Sequence, residues 1–392
     1  MNISKWNETE FSKPPLAPLG IISLSGSKQL AELIDKHLVN QRRRLVEAKP
    51  ELAAEPGLIR DSFIIPSECP RFSNGEAKGV IYQTVRGCDI YIIADVANYS
   101  CTFKMYGREC PMSPDDHFQD LKRIIAAAGG KARRITVIMP MLYEGRQHRR
   151  VSRESLDCAT ALQELAHMGV TNVITFDAHD PRVQNAVPLI GFDSVQPKYQ
   201  MIKALVNTYP DIKIDREHLT IISPDEGGMS RCIYYSSVLG LDLGMFYKRR
   251  DYSKIVGGRN PIISHEYLGG SIEGKDVIIV DDIIASGDSV IDIAEQLKAK
   301  KVNRVFIFAT FGLFTEGLSR FDEAYKKGLI EKVFTTNLVY RTDELKSKKW
   351  YREVDMSKYI AFIINTLNYD RSMSELLDPV KRINKLLGKL KK

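Results

Sequence analysis

The stretch from Lys275 to Thr310, KDVIIVDDIIASGDSVIDIAEQLKAKKVNRVFIFAT, constrains the chain more than any other. Val277 to Val280 is a short apolar run rich in β-branched residues, the pattern of a strand buried on both faces of a parallel sheet. It stops at two adjacent carboxylates, Asp281 and Asp282, which are therefore expected at the strand's C-terminal edge. Ala285, Ser286, Gly287, Asp288 and Ser289 follow, small or hydroxyl residues that let backbone N–H groups line a tight loop before a helix. That helix keeps Val290, Ile293, Ala294 and Leu297 on one face, and Arg304 to Thr310 predicts the next strand. Strand, loop, helix and strand make one βαβ unit.

Ligands of open parallel sheets bind at the carboxyl ends of the strands, so this loop is placed to hold one. N–H groups at a helix N-terminus favour an anion such as phosphate, and paired carboxylates suit sugar hydroxyls or Mg²⁺. Together they describe a ribose phosphate. The plain alternative is an acidic strand end followed by an ordinary cap at Ser289 or Asp288. Gly269 to Lys275 has the glycine and lysine spacing of a Walker A loop, but Asp276 stands at the Ser/Thr position and the segment precedes its strand.

VIIVDDIIASGDS resembles the phosphoribosyl-diphosphate loop of the type I phosphoribosyltransferase fold, in a setting similar to that of the ribose-phosphate diphosphokinase (PRPP synthetase) family. Other motifs appear in the family's order. RFSNGEAKGVIYQTVRG reads on its own as a hairpin turn at Ser73-Asn74-Gly75, and it resembles the family's FSDGE-type element. The resemblance implies that Phe72 stacks on adenine in a neighbouring subunit, that Glu76 binds the exocyclic amine, and that Asn74 stands where an Asp is usual. The strand at Arg134 to Met141 runs into LYEGRQHRRVSRES, a solvated basic loop or a polyphosphate clamp. It resembles an ARQDR-type segment, which implies ATP contacts for Arg146, Gln147 and Arg149, with His148 in place of the usual Asp.

Asp177 and His179 alternate at the end of the strand Asn172 to Phe176, so both could face one cleft. The segment resembles a DLHA-type element, implying that His179 lies beside the ATP triphosphate and its metal. SPDEGGMSR, after the strand His218 to Ser223, repeats the opening logic and resembles the SPD-x-GG-x-x-R signature, which makes Asp225 a second metal residue. Lys248, Arg249 and Arg250 follow a strand at Leu241 to Tyr247. They are a solvated edge or, as the family's KRR implies, a catalytic loop in which Lys248 and Arg250 stabilise the transferred group and residues 251–270 give flexibility.

The expected fold is α/β, with two similar phosphoribosyltransferase-like domains, each a largely parallel sheet flanked by helices. At 392 residues the chain exceeds one usual domain. Its expected parts are an irregular arm over 1–19, domains over 20–195 and 196–355, and a helical segment over 356–392 that packs across them. Lys28 to Leu38 predicts a helix, and Gln41 to Gly57 a charged surface insertion. The segment from Cys101 to His117 is longer than is typical of the family.

Six scattered cysteines without a CxxC pair argue against zinc and disulfides and predict buried thiols. The formal charge of +7 has no basic stripe interleaved with aromatics, so nucleic acid is not an expected partner. No run approaches the roughly 20 apolar residues of a membrane span, and the polar N-terminus lacks a signal-type apolar core, so a cytoplasmic protein is expected. The resemblance implies Mg²⁺, ATP and ribose 5-phosphate, a homo-oligomer built from dimers with a hexamer as one form, and synthesis of PRPP. Asp281, Asp282, Ser286, Gly287, Asp288 and Ser289 would hold ribose 5-phosphate. Asn74, His148 and Ala285, where the family usually has Asp, leave open a catalytically silent regulatory relative, and a phosphoribosyltransferase is a further alternative.

Overall fold

The computed structural model describes residues 14–55, 57–250 and 262–390, without the side chains of 248–250, 262–265 and 390. The chain divides into two units. Unit 1 is the chain up to Pro197 with Asn337–Tyr340 and Asp355–Pro379; unit 2 is Lys198–Thr336, Arg341–Val354 and the residues from Val380 on.

Unit 1 opens with β1 (Leu19–Ser23) and α1 (Lys28–Ala48), then a small hairpin of β2 (Ser67–Glu68) and β3 (Val80–Ile81). β4 (Asp89–Ile93) precedes a second hairpin, β5 (Thr102–Met105) and β6 (Arg108–Pro111). Then come α2 (Pro114–Ala128), β7 (Arg134–Ile138), α3 (Asp157–His167), β8 (Asn172–Phe176) and β9 (Gly191–Val195). Its five-stranded sheet has the order β1-β4-β7-β8-β9, and every pairing is parallel. Leu121, Ile125, Cys158 and Leu162 of α2 and α3 share a core with Ile22, Ile92 and Val137 of the strands.

The helix after β1 is ten residues longer at its C-terminal end than the apolar pattern predicts, reaching Ala48 and not Leu38. Leu38, Arg42 and Leu45 continue its buried stripe, and Arg42 is only 2% exposed, so a charged letter conceals a core position. Residues 41–48 of the expected surface insertion at 41–57 are therefore part of α1, a 3-10 turn follows over Pro50–Ala54, and Leu45, Leu52 and Leu58 form a small core of their own.

Unit 2 runs α4 (Lys198–Thr208), β10 (Leu219–Ser223), α5 (Met229–Leu239), β11 (Asp242–Arg250), β12 (Ile262–Leu268), β13 (Asp276–Ile284) and α6 (Asp288–Ala299). It continues through β14 (Val305–Gly312), α7 (Ser319–Lys326), β15 (Lys332–Thr336), α8 (Asp343–Ser347) and β16 (Tyr351–Val354). The chain then gives α9 (Ser357–Asn368) and α10 (Ser374–Leu377) to unit 1 and α11 (Val380–Leu390) to unit 2. The seven-stranded sheet has the order β12-β11-β10-β13-β14-β15-β16, parallel except at β12. Strand alternation sorts its core into two layers. Val277 and Ile279 pack with α6 and α7, while Ile278 and Val280 pack with α4, α5 and α11.

Two strand ends differ from expectation. β13 does not stop at the carboxylates: Asp281 pairs with Ala309 and Ile284 with Gly312 along β14, whereas pairing with β10 ends at Ile279. β11 extends through Lys248 to Arg250 and pairs antiparallel with β12, so part of the stretch expected as a flexible loop is a strand; residues 251–261 lie outside the described structure. All six cysteines are free, but only Cys88, Cys158 and Cys232 are buried. Among the described residues no helix is long and apolar enough to cross a membrane.

Candidate active site

The strand order of unit 2 reverses direction between β10 and β13, which are adjacent and parallel although β11 and β12 intervene in sequence. A crevice outside the carboxyl ends forms at such a reversal and is where doubly wound sheets bind ligands. The two carboxylate segments named from sequence lie at the C-terminal ends of these two strands.

After β10, the Asp225 carboxylate accepts 3.1 Å from the Gly228 N–H, and Ser223 Oγ donates 2.7 Å to the Asp225 carbonyl. A Cβ at Gly228 would lie 3.0 Å from Ser223 Oγ, so the glycine lets the loop close on itself. One turn into α5, Arg231 points its guanidinium at Asp282, 3.6 Å away. The neighbouring Cys232 thiol donates to the carbonyls of Ile222 and Val280, tying the two strands together, and burial pushes it up to about 12. It is a structural thiol, not a nucleophile.

Near the C-terminal end of β13, Asp282 is buried and Asp281 is partly so. Burial, and then Asp282 beside it, push the Asp281 carboxyl well above the ordinary carboxylate range. Such a pair favours a partner that supplies hydroxyl donors or positive charge. Gly287 caps α6 in the left-handed region, φ 88°, and a Cβ there would run into the Phe321 ring. Only glycine satisfies both demands. The plain alternative, a cap at Ser289 or Asp288, is not what forms: Asp288 makes an ion pair with Arg320 of α7, and Ser289 is exposed. Arg231 is the arginine that ends the SPDEGGMSR motif, whereas Arg320 and Phe321 are neighbours that no local motif singles out.

Unit 1 holds two further groups. His148 lies on the loop after β7, its Nε2 3.5 Å from the Asp180 carboxylate and its ring 5.3 Å from that of His179. Arg182 grips the same carboxylate with Nε and Nη2 at 2.5–3.0 Å, which holds Asp180 down at about 2. The basic loop and the His179 loop are thus one cluster. Arg146 and Arg149 are exposed, and Gln147 braces the loop through the Ser155 carbonyl at 2.8 Å. Asp177 and His179 do not share a surface: Asp177 is buried, with φ 43°, and His179 is exposed.

The second group is the 72–76 turn. Phe72 N–H donates 2.6 Å to the Glu76 carbonyl, and the Asn74 side-chain amide donates 2.7 Å to the Glu76 carboxylate. Phe72 is 53% exposed. The contacts of this turn run to the hairpin of β5 and β6. Lys248 and Arg250 close β11, with their side chains outside the described structure. No group of three His, Cys, Asp or Glu side chains among the described residues could hold a metal ion alone.

Residues 19–169 match the family model of the N-terminal domain of ribose phosphate pyrophosphokinase, and residues 198–338 match that of the phosphoribosyl transferase domain. The chain is 27% identical over 339 residues to a ribose-phosphate pyrophosphokinase of Vibrio cholerae, covering 84% of this chain and 97% of that protein. It is 27% identical over 356 residues to the ribose-phosphate pyrophosphokinase of Mycoplasma genitalium, covering 90% and 92%. Among solved structures its fold is similar to phosphoribosylpyrophosphate synthetase from Mycobacterium smegmatis, with a TM-score of 0.70 and 19% identity over 89% of this chain and 98% of that one.

Proposed function

The chain belongs to the ribose-phosphate pyrophosphokinase family, and from that premise we propose that it transfers the β,γ-diphosphoryl group of ATP to the C1 hydroxyl of ribose 5-phosphate, giving PRPP and AMP. The observation that carries this reading is the pair of loops at the strand-order reversal of unit 2. One carries the Asp281–Asp282 pair and the Gly287 turn that opens α6, and the other carries Asp225 and the Gly228 turn that opens α5.

In this reading the 5-phosphate sits on Ser286, Gly287, Asp288 and Ser289, where the N-terminal amides of α6 are oriented toward an anion. Asp281 and Asp282 take the ribose hydroxyls, with Arg231 countering their charge. In unit 1, Arg146, Gln147 and Arg149 hold the triphosphate beside His179, while Phe72, Asn74 and Glu76 recognise the adenine. Lys248 and Arg250 stabilise the charge spread over the group in flight. The exposed Phe72 turn and its separate contacts support a homo-oligomer in which a neighbouring copy completes the adenine pocket.

The donor set fits Mg²⁺ that arrives with the polyphosphate, because Mg²⁺ keeps its waters and substrate oxygens and needs only one or two protein carboxylates. Asp225, with His179 close to the polyphosphate, would hold it, and when bound it neutralises charge on the phosphate oxygens. No covalent intermediate is needed; the C1 hydroxyl attacks the β-phosphorus in line and AMP leaves. A cytoplasmic location suits these substrates.

The test is an assay with ATP, Mg²⁺ and ribose 5-phosphate that follows AMP and PRPP together. Equal amounts of both, lost in Lys248→Ala, support the reading. No turnover with any pentose phosphate or nucleoside triphosphate would defeat it.

A further inference from the structure

The hairpin of β5 and β6 ends in a two-residue turn, because Met105 pairs directly with Arg108. Both turn residues have positive φ, 48° at Tyr106 and 75° at Gly107, the signature of a type I′ turn. Gly107 suits that geometry. Tyr106 does not: Asn, Asp or Gly takes the first position easily, and a bulky aromatic takes it only under strain. Nothing in local folding calls for tyrosine at this position. The residue is 78% exposed, so packing does not call for it either.

What the tip touches is the 72–76 turn. Tyr106 N–H donates 2.8 Å to the carbonyl of Ser73, the residue next to Phe72. Gly75, at φ 95°, leaves the space occupied by Met105, since a Cβ there would lie 2.7 Å from its Sδ. Below the tip, the Arg71 guanidinium lies 4.9 Å over the Phe103 ring and makes two bonds, 2.6 and 3.0 Å, to the buried Asp120 carboxylate. The two turns are therefore locked together at three levels.

We infer that Tyr106 is a specificity-determining residue for the nucleotide: the hairpin clamps the 72–76 turn and, with Phe72, presents two exposed aromatic rings for a nucleobase. This rests on the proposal that the 72–76 turn meets adenine. A strained residue whose strain serves neither turn nor core is best explained by what its side chain binds. Stacking of aromatic faces is the interaction two such rings offer.

Tyr106→Asn separates the roles, because asparagine relieves the turn and removes only the ring. The variant is expected to melt at or above the wild-type temperature. Its KM and calorimetric Kd for ATP rise about three- to tenfold, the scale of one aromatic contact, with the KM for ribose 5-phosphate unmoved. Tyr106→Phe restores the wild-type KM for ATP. Wild-type ATP affinity in Tyr106→Asn would overturn the inference and leave the proposed reaction standing. ATP binding without PRPP formation in the wild type would defeat the reaction while the calorimetric comparison still decides on Tyr106. A wild type that binds no ATP overturns both.

Discussion

The side-chain carbonyl of Asn368 accepts a 2.7 Å hydrogen bond from Nη2 of Arg42, across 326 residues of chain. Nη1 of Arg42 donates 2.7 Å to the Tyr369 hydroxyl, and the Asn368 amide donates to the Ala17 carbonyl and to Asp89. Asp89, fully buried, also takes two 2.8 Å bonds from Arg134, which in turn reaches the Leu367 carbonyl. Through this network the end of α9 is fastened to α1 and to the edges of β4 and β7, all within unit 1.

Asn368→Ala should therefore be strongly destabilising. It removes the acceptor of a buried guanidinium and one donor to a buried carboxylate, losses worth about 3 kcal/mol when a charge is left without its partner. Urea unfolding should show a lower midpoint with an unchanged slope. A midpoint within error of the wild type would mean that the network holds nothing.

Gly287→Ala tests the phosphate loop. The added methyl meets the Phe321 ring at a backbone angle that L-residues rarely adopt, a strain of about 1–3 kcal/mol. Because the strain falls where the ribose phosphate is proposed to sit, the KM for ribose 5-phosphate should rise more than that for ATP. Phe321→Ala in the same chain should recover part of the loss by freeing the space. Equal effects on both substrates would point to general unfolding of unit 2.

His117 gives a pH dependence of stability. Its Nε2 lies 2.8 Å from the Asn98 carbonyl, the ring is 1% exposed, and burial lowers its pKa from 6.5 against the pull of Asp120 and Asp116. The unfolded chain thus takes up the proton first as pH falls. The contribution is complete above 6.5 and is lost as pH falls from there through the lowered folded value. Melting temperatures should drop between about pH 7 and pH 5.5, and His117→Gln should flatten that drop. A slope unchanged in the variant would assign it to other groups.

The parts of the fold legible in the sequence were those written in apolar letters. Val277–Val280 announces a buried parallel strand because no polar residue interrupts it, and Leu219–Ser223 does so because its one interior polar residue, Thr220, is β-branched. The second half of α1 was hidden because its central core residue is Arg42, whose partners lie in the last quarter of the chain. The extension of β13 was hidden because Asp281 and Asp282 read as a stop, although pairing with β14 continues past them. At the site, loops were legible and their neighbours were not. Arg231 stands in the SPDEGGMSR motif but its contact with Asp282 is not written there, and Arg320 reaches Asp288 through tertiary placement alone.

His148 is the place where that difference has a consequence for catalysis. The family's usual Asp at this position would set a second carboxylate on the side of the loop that faces Asp180, whose carboxylate now lies 3.5 Å from His148 Nε2. Asp180 itself occupies the place of the alanine in the DLHA-type element that the segment resembles, so one carboxylate has in effect been exchanged between two loops that touch. His148→Asp alone should then lower kcat/KM for ATP, since two carboxylates would repel each other beside His179 and pull Arg182 between them. His148→Asp with Asp180→Ala should recover most of the loss, because the like-charge contact is gone and the family's arrangement is restored. The coupling between the two substitutions, read from a double-mutant cycle, should be favourable by about 1–2 kcal/mol. Additive losses would mean that His148 and Asp180 act separately, and that the exchange of residues between the loops is a coincidence of position.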